Sequence, residues 1–171
     1  HLKKSGGKKF NKDLLNPNNK IYVGKFPGKW SPKKDMSKKD VLIIGSGPGM
    51  KEYKKIIETY IQKNKPYVIA LNTQKSINEK LINLRASCNA LSLISDRNDF
   101  KKLKQTLVLP IGRMSQEIKN FLKSNKVLDF GLEVKQKKFE FKEKYAILPN
   151  SLVASYALGI ATSGKAKRIL L

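Results

Sequence analysis

Residues 40–50 read Asp-Val-Leu-Ile-Ile-Gly-Ser-Gly-Pro-Gly-Met, and this stretch decides the fold. Positions 41–44 form a continuous apolar run rich in β-branched residues, which is typical of a parallel strand buried on both faces. From position 50 to 62 the apolar residues recur with the spacing of an amphipathic helix. Between the two, three glycines occupy alternate positions: Gly45, Gly47 and Gly49. The stretch therefore predicts a strand, a glycine turn and a helix.

The glycine turn is the first candidate binding site. Bare backbone N–H groups followed by a helix N-terminus can hold a phosphate without a positive side chain. The pattern is not the full dinucleotide-binding motif, because position 50 is Met rather than Gly, and no Gly-Lys-Ser/Thr follows as in a Walker A loop. The alternative is a purely structural turn. The candidate residues are Gly45, Ser46, Gly47, Pro48 and Gly49.

Further apolar runs predict the rest of the fold. Strands are predicted at 67–71, 90–94 and 106–110, with strand-like character at 127–132 and a strand or hairpin at 135–144. Short helical segments are predicted at 78–84 and 115–125, a lysine-rich surface turn or short helix at 99–104, and a longer, buried helix after Asn150. Strands that alternate with helices predict an α/β fold, Rossmann-like, with a mostly parallel sheet flanked by helices in three layers.

Two pairs of polar residues supply further candidates. Asn72 and Thr73 follow the second strand, and ligands of open α/β sheets sit at the carboxyl ends of the strands. Asn72 could contact a ribose hydroxyl or a base edge, or it could form an Asx turn. Asn150 and Ser151 open the buried helix, where Asn150 is the predicted N-cap, with or without a ligand contact. Gly164 is the predicted C′ residue of that helix.

The charge of the chain is strongly positive, with a formal net charge of +23. Four of the 36 basic residues are arginine, which leaves 32 lysines spread along the chain. Arginine is the residue favoured for bidentate contacts with bases and phosphates, whereas lysine is a solvated point charge. We therefore interpret the charge as a compositional bias of solvated faces, and we do not expect a nucleic-acid-binding protein.

Few residues are available for catalysis or metal binding. Cys88 is the single cysteine and cannot form an internal disulfide, which fits a reducing, cytoplasmic setting. The single histidine is His1, so we expect neither histidine-based acid–base catalysis nor a metal site. No apolar run reaches membrane-spanning length. The catalytic residues, if there are any, stay unknown at this stage.

The chain divides into two parts by composition. Residues 1–38 read as a polar linker or N-terminal arm, in which 21–24 could form a short strand and Phe26 and Trp30 are expected to cover an edge of the core. Residues 39–171 read as the α/β domain. The apolar end at 168–171 resembles the start of a buried strand, so we expect the parent protein to continue beyond it.

Two motifs together resemble a known superfamily. The segment 41–52 resembles the Gly-x-Gly-Pro-Ser-Leu-Lys-Glu opening of Rossmann-like proteins that include Campylobacter-type sialyltransferases and 6-hydroxymethylpterin diphosphokinase-like proteins. The segment 149–171 resembles their later helix–strand unit. That segment is more similar still to a domain that lies C-terminal to an HMG-CoA-lyase-like aldolase barrel in surface-sugar biosynthesis proteins. Two features depart from the pattern: Gly49-Met50 replaces Ser-Leu, and no histidine matches the catalytic one of the sialyltransferases.

The resemblance implies a nucleotide or nucleotide-sugar ligand, of the CMP or UDP type, at residues 45–49, with Asn72, Asn150 and Ser151 nearby. It also implies an aldolase barrel as the partner of the domain within one parent chain. The leading hypothesis is an accessory ligand-binding domain that is not catalytic alone. The alternatives are a glycosyltransferase or diphosphokinase-like transferase with catalytic residues beyond 171, and a structural domain that docks or forms a homo-oligomer.

Overall fold

The computed structural model describes residues 27–171. Its large sheet has six parallel strands in the order β5-β4-β3-β2-β1-β9, and a small sheet has the order β6-β8-β7. The strands of the large sheet are β1 (Asp40–Ile44), β2 (Tyr67–Leu71), β3 (Leu84–Ala86), β4 (Thr106–Leu109), β5 (Val127–Asp129) and β9 (Arg168–Leu170). Those of the small sheet are β6 (Gly131–Val134), β7 (Glu140–Phe141) and β8 (Tyr145–Leu148). The helices are α1 (Lys33–Met36), α2 (Lys54–Asn64), α3 (Ala90–Ser95), α4 (Arg97–Lys102), α5 (Gln116–Phe121) and α6 (Val153–Ser163).

Helices cover both faces of the large sheet. On one face, Ile44 and Val68 pack with Ile61 of α2, and further along Leu107 packs with residues of α3, α4 and α5. On the other face, Ile43 and other strand residues pack against α6. The predicted class is therefore confirmed: a three-layer, Rossmann-like α/β fold with a parallel sheet. The continuous apolar runs of β1 and β2 are explained by this burial on two faces.

Helix α6 lies between the large sheet and the small sheet. It contacts β1, β2 and β3 on one side and β7 and β8 on the other. A Cβ added to Gly159 would lie 3.0 Å from the Cβ of Ala146 in β8, so the small residues of this helix allow the small sheet to approach closely. The prediction of a buried helix in this region is confirmed.

Residues 28–36 pack against the α/β domain. The N–H groups of Lys29 and Trp30 both donate to the carbonyl oxygen of Asp129, at 2.9 Å. A Cβ on Gly28 would lie 2.3 Å from that oxygen, so only glycine fits where this segment passes so close to the backbone of Asp129. The Trp30 ring packs edge-on against Phe130, which confirms that Trp30 covers part of the core. Phe26 and the strand predicted at 21–24 lie outside the described residues.

Three predicted elements are wrong. Residues 90–94 form the helix α3 and not a strand, because the Asn89 side chain accepts from the N–H groups of Leu91 and Ser92 and so caps a helix. The helix predicted at 78–84 is only a 3₁₀ turn, Glu79–Leu81, and the third strand, β3, begins at Leu84. The run at 127–132 is split at Phe130 into β5 and β6, which belong to different sheets.

The ends of two helices also differ from the prediction. The helix expected from position 50 begins at Lys54, after a separate 3₁₀ turn at Pro48–Met50. Gly164 is the C-cap of α6 in the right-handed conformation, and Lys165 after it takes the left-handed one, with φ 57°. Gly164 is needed for space, because its Cβ would lie 2.9 Å from the Met36 Cβ. Among the described residues, no helix is long and apolar enough to cross a bilayer.

Candidate functional site

The strand order places a topological switch point beside β1. The chain passes from β1 through α2 to β2 on one side, whereas α6, on the opposite face, leads to β9 on the other side. In open α/β sheets, ligands bind in the crevice at the carboxyl ends of the strands where the order reverses in this way. The glycine loop, defined as residues 45–49, leaves β1 at this point.

The backbone of the glycine loop is largely free. The N–H groups of Gly45, Ser46 and Gly47 donate to no acceptor among residues 27–171. The loop contributes two backbone hydrogen bonds through its carbonyl groups, from Met50 N to Gly47 O at 3.1 Å and from Tyr53 N to Gly49 O at 3.0 Å. Ser46 and Gly47 are exposed to solvent. The loop therefore presents donors that residues 27–171 do not use.

The glycines of this loop are not required by the fold. Gly47 has φ −61° and ψ 156°, an extended conformation that any residue adopts, and a Cβ there would meet no atom within 4 Å. A Cβ on Gly45 or Gly49 would make only ordinary contacts, at 3.8 and 3.5 Å. None of the three has the positive φ that favours glycine. A tight structural turn therefore does not explain why glycine stands at position 47.

Lysines outnumber carboxylates by three to two in the segment that follows the loop, where Lys51, Lys54 and Lys55 accompany Glu52 and Glu58. Lys51 and Lys55 are exposed and have no ion pair among the described residues, and Lys54 lies 4.0 Å from Glu58. The glycine loop runs into the 3₁₀ turn Pro48–Met50, and residues 51–53 separate that turn from α2, so the N-terminus of α2 does not begin directly at the loop as expected. Pro48 is the first residue of that turn.

Asn72 and Thr73 lie at the same edge, on the neighbouring strand. Asn72 has a left-handed backbone, φ 50°, which asparagine tolerates better than most residues. Its side-chain oxygen is buried and has no hydrogen-bond partner in the described part of the chain, so the Asx turn does not form. Gln74 N donates instead to Leu71 O at 3.1 Å. Thr73 is half-buried.

A buried arginine ties down the loop that follows β2. The Nη1 group of Arg85, in β3, donates to the carbonyl oxygens of Gln74 at 2.7 Å and Asn72 at 3.3 Å. Its Nε group donates to Gln105 Oε1 at 3.0 Å. The Arg85 side chain is fully buried, and this burial lowers its pKa, while Glu79 at 3.9 Å opposes that shift. Sequence reasoning missed this residue because a charged side chain interrupts the apolar pattern of β3.

Asn150 and Ser151 reach the same edge from the opposite face of the sheet. The Cys88 thiol, just after β3, donates to Ser151 O at 3.2 Å. The prediction that Asn150 caps the helix is wrong: its side chain accepts from Leu152 N at 3.2 Å, but α6 begins only at Val153, with Leu152 as an N-cap that has no side-chain bond. No hydrogen bond among residues 27–171 joins the glycine loop to Asn72 or to Ser151.

The ionisable groups near this edge are poor candidates for catalysis. Cys88 is fully buried, and burial raises the pKa of its thiol to about 12. Asp129, whose pKa burial also raises, ends β5, four strands from β1 and thus about 19 Å away at the usual strand spacing. No group of three potential metal-ligating side chains occurs in the part of the chain that the structure describes.

Comparisons with protein-family models, with curated proteins and with solved structures find no match to this chain. The class of protein is therefore defined by the fold and the edge of the sheet alone. It is a Rossmann-like α/β domain with an open glycine loop at the switch point.

Proposed function

We propose that this domain binds a nucleotide, or another phosphate-bearing ligand, against the glycine loop at the carboxyl edge of the large sheet. The resemblance noted in the sequence favours a CMP- or UDP-type nucleotide or nucleotide sugar. In this proposal the domain is an accessory part of a sugar-biosynthesis protein with an aldolase barrel, and it is not catalytic alone.

The observation that carries the proposal is the combination of unused N–H groups and an unneeded glycine at position 47. Donors left without a protein acceptor at the edge of a sheet are suited to phosphate oxygens. A glycine that neither backbone conformation nor packing requires is explained if a ligand must approach the backbone closely. Lys51 and Lys55 would add to the attraction for a negative charge.

Calorimetric titration with CMP, UDP and their sugars tests the proposal. We expect at least one of them to bind with a dissociation constant of millimolar or below. Gly47→Val should weaken that binding about ten-fold or more, because its methyl groups would occupy the space in front of the free N–H groups. The protein should stay folded, because a side chain at position 47 meets nothing.

Ser124→Val is the matched control, since Ser124 is also exposed but lies near the start of β5, at the opposite edge of the sheet. It should leave the affinity unchanged. Absence of binding by all of the compounds at millimolar concentration would reject the proposal. Equal affinity of the wild type and Gly47→Val would reject the glycine loop as the binding surface.

A second candidate function, self-association, is favoured by one specific feature. A groove of about 340 Å³ lies beside the loop between α2 and β1, and the apolar side chain of Ile56 at its margin is 67% exposed. Exposed apolar patches of this kind often mark an interface. If the groove pairs with a second copy of the chain, sedimentation equilibrium should show a dimer that Ile56→Asp dissociates. A monomer at high concentration would exclude this function.

A further inference from the structure

On one face of the large sheet, helix α2 covers part of the width of the sheet and leaves the rest open. On this face, Ile44 of β1 and Val68 of β2 pack with Ile61 of α2. Leu42 lies two residues before Ile44 and faces the same side, but it is only half-buried, although β1 lies between β2 and β9. Among residues 27–171, the apolar cluster on this face contains residues of one α-helix, α2. The side of β1 that faces β9 is therefore partly open.

The side of α2 next to this opening is apolar as well. Ile56 and Tyr60 lie four residues apart and so share one face of the helix. Ile56 is 67% exposed, and Ile57 and Tyr60 are half-buried, whereas Ile61 is fully packed. The groove of about 340 Å³ between α2 and β1 is lined by these first three side chains and by Leu42. We call it the α2 groove, and it has apolar walls on the helix and on the sheet.

The geometry of the sheet indicates the shape of partner that fits the α2 groove. A parallel sheet is covered by helices on both faces. Helices that pack side by side lie about 8–10 Å apart, which equals about two spacings between neighbouring strands. A helix beside α2 would therefore lie over β9 and the open side of β1. The groove runs along β1 from Gly45 to Leu42, about 10 Å, which is the length of about two helical turns.

We propose that the α2 groove binds an amphipathic α-helix of a partner polypeptide. Its apolar side chains, spaced i, i+3, i+4 and i+7, would lie on Ile56, Tyr60 and Leu42. Carboxylates beside that apolar face would suit this chain, whose formal net charge is +23. Residues 1–26 do not fit this description, because they contain seven lysines and one acidic residue, Asp13. A second copy of the chain would bring the same positive charge to the contact.

NMR of the full chain with isotope-labelled methyl groups tests the proposal. The probe is a capped peptide of about 18 residues in which leucine recurs at i, i+3, i+4 and i+7, and glutamate and alanine fill the other positions. The methyl signals of Leu42, Ile56 and Ile57 should shift and saturate, with a dissociation constant below about 1 mM. An isomer of the same composition, with its leucines spread around the helix, should bind at least about ten-fold more weakly.

Ile56→Asp should weaken the binding about ten-fold or more, because it places a carboxylate against the apolar face of the peptide. The variant should fold, since Ile56 is largely exposed. Val134→Asp is the matched control: Val134 is 45% exposed but lies in β6, in the small sheet, and its substitution should leave the affinity unchanged. Gly47→Val should also leave it unchanged, because Gly47 does not line the groove, which separates docking from ligand binding at the glycine loop.

Absence of methyl shifts at millimolar peptide would overturn the proposal. Equal binding of the two isomers would show nonspecific attraction to a positively charged protein and would overturn it as well. Sedimentation equilibrium of the protein without peptide decides the remaining alternative. A dimer that Ile56→Asp dissociates would assign the groove to a second copy of the chain and not to a partner helix.

Discussion

The loops after β1 and β2 leave neighbouring strands at the same edge of the sheet, but they differ in how the protein holds them. The loop after β2 is fixed by Arg85, which donates to two of its carbonyl oxygens, and by the N–H group of Asn72, which donates to Ala86 O at 2.9 Å. In the glycine loop, the first three N–H groups have no acceptor among the described residues. The loop after β3 resembles the loop after β2, since the Cys88 thiol in it donates to Ser151 O at 3.2 Å.

This difference indicates where a ligand has room to act. The carbonyl groups already bonded to Arg85 offer few further hydrogen bonds to a partner, whereas the N–H groups of the glycine loop that lack an acceptor among residues 27–171 can gain one on binding. The glycine loop therefore keeps three successive residues, Gly45, Ser46 and Gly47, whose N–H groups have no acceptor in the described part of the chain.

The largest expected effect concerns the reactivity of Cys88, which is fully buried in the loop after β3. With the pKa of the Cys88 thiol raised to about 12, native protein at pH 8 should react with Ellman's reagent about a thousand-fold more slowly than a free thiol or the unfolded chain. The absorbance of the released thionitrobenzoate measures the rate. Fast reaction of the folded protein would show that the Cys88 thiol is not buried in this loop.

The two other loops should differ in amide exchange. The N–H groups of Gly45, Ser46 and Gly47 should exchange near the rate of an unstructured peptide, because they donate to no described acceptor. Those of Asn72 and Gln74 should exchange about a hundred-fold more slowly. Hydrogen–deuterium exchange followed by NMR measures both sets in one sample, and equal protection of the two loops would remove the distinction.

Arg85→Met should lower the free energy of unfolding by about 2 kcal/mol, because it leaves the buried carbonyl oxygens of Asn72 and Gln74 without their donor. Urea unfolding measures the change. Arg97→Met is the control: Arg97 is 49% exposed, lies 3.9 Å from Glu117, and should cost less than about 0.5 kcal/mol. Similar losses from the two substitutions would show that Arg85 does not fix the loop.

The smallest effect is expected at Gly47. Gly47→Ala should raise the free energy of unfolding by about 0.5 kcal/mol, because alanine reduces the freedom of the unfolded chain and fits the native conformation without strain. Urea unfolding of the variant beside the wild type measures it. A loss of more than about 1 kcal/mol would show that the fold does need glycine at this position.

The sequence predicted those parts of the fold in which one signal dominates. β1, β2 and β4 are apolar runs buried on two faces, and their bounds agree with the structure to within one residue. The strand predicted at residues 90–94 was wrong because a short apolar run has no clear period. The residue that indicates a helix there is Asn89, which caps its N-terminus. Strand β3 was not predicted because a charged residue, Arg85, stands at its centre. Arg85 is buried there through hydrogen bonds with residues distant in the sequence.

The candidate site was predictable in position but not in its details. The glycines located the loop, and the rule of parallel strands placed Asn72 and Thr73 at the same edge. The left-handed backbone of Asn72 and the late start of α6 after Asn150 depend on tertiary packing, which no local pattern records.

The pairing of β1 with β9 has a consequence for the order of folding. Asp40 and Arg168, joined by a hydrogen bond of 3.0 Å from Nε to Oδ1, are 128 residues apart in the chain. Contacts this distant in sequence slow folding, because a long segment must be ordered before they can form. During synthesis the ribosome releases β1 and β2 long before β9. The edge of β1 that pairs with β9 therefore stays accessible to chaperones until residues 168–170 have emerged.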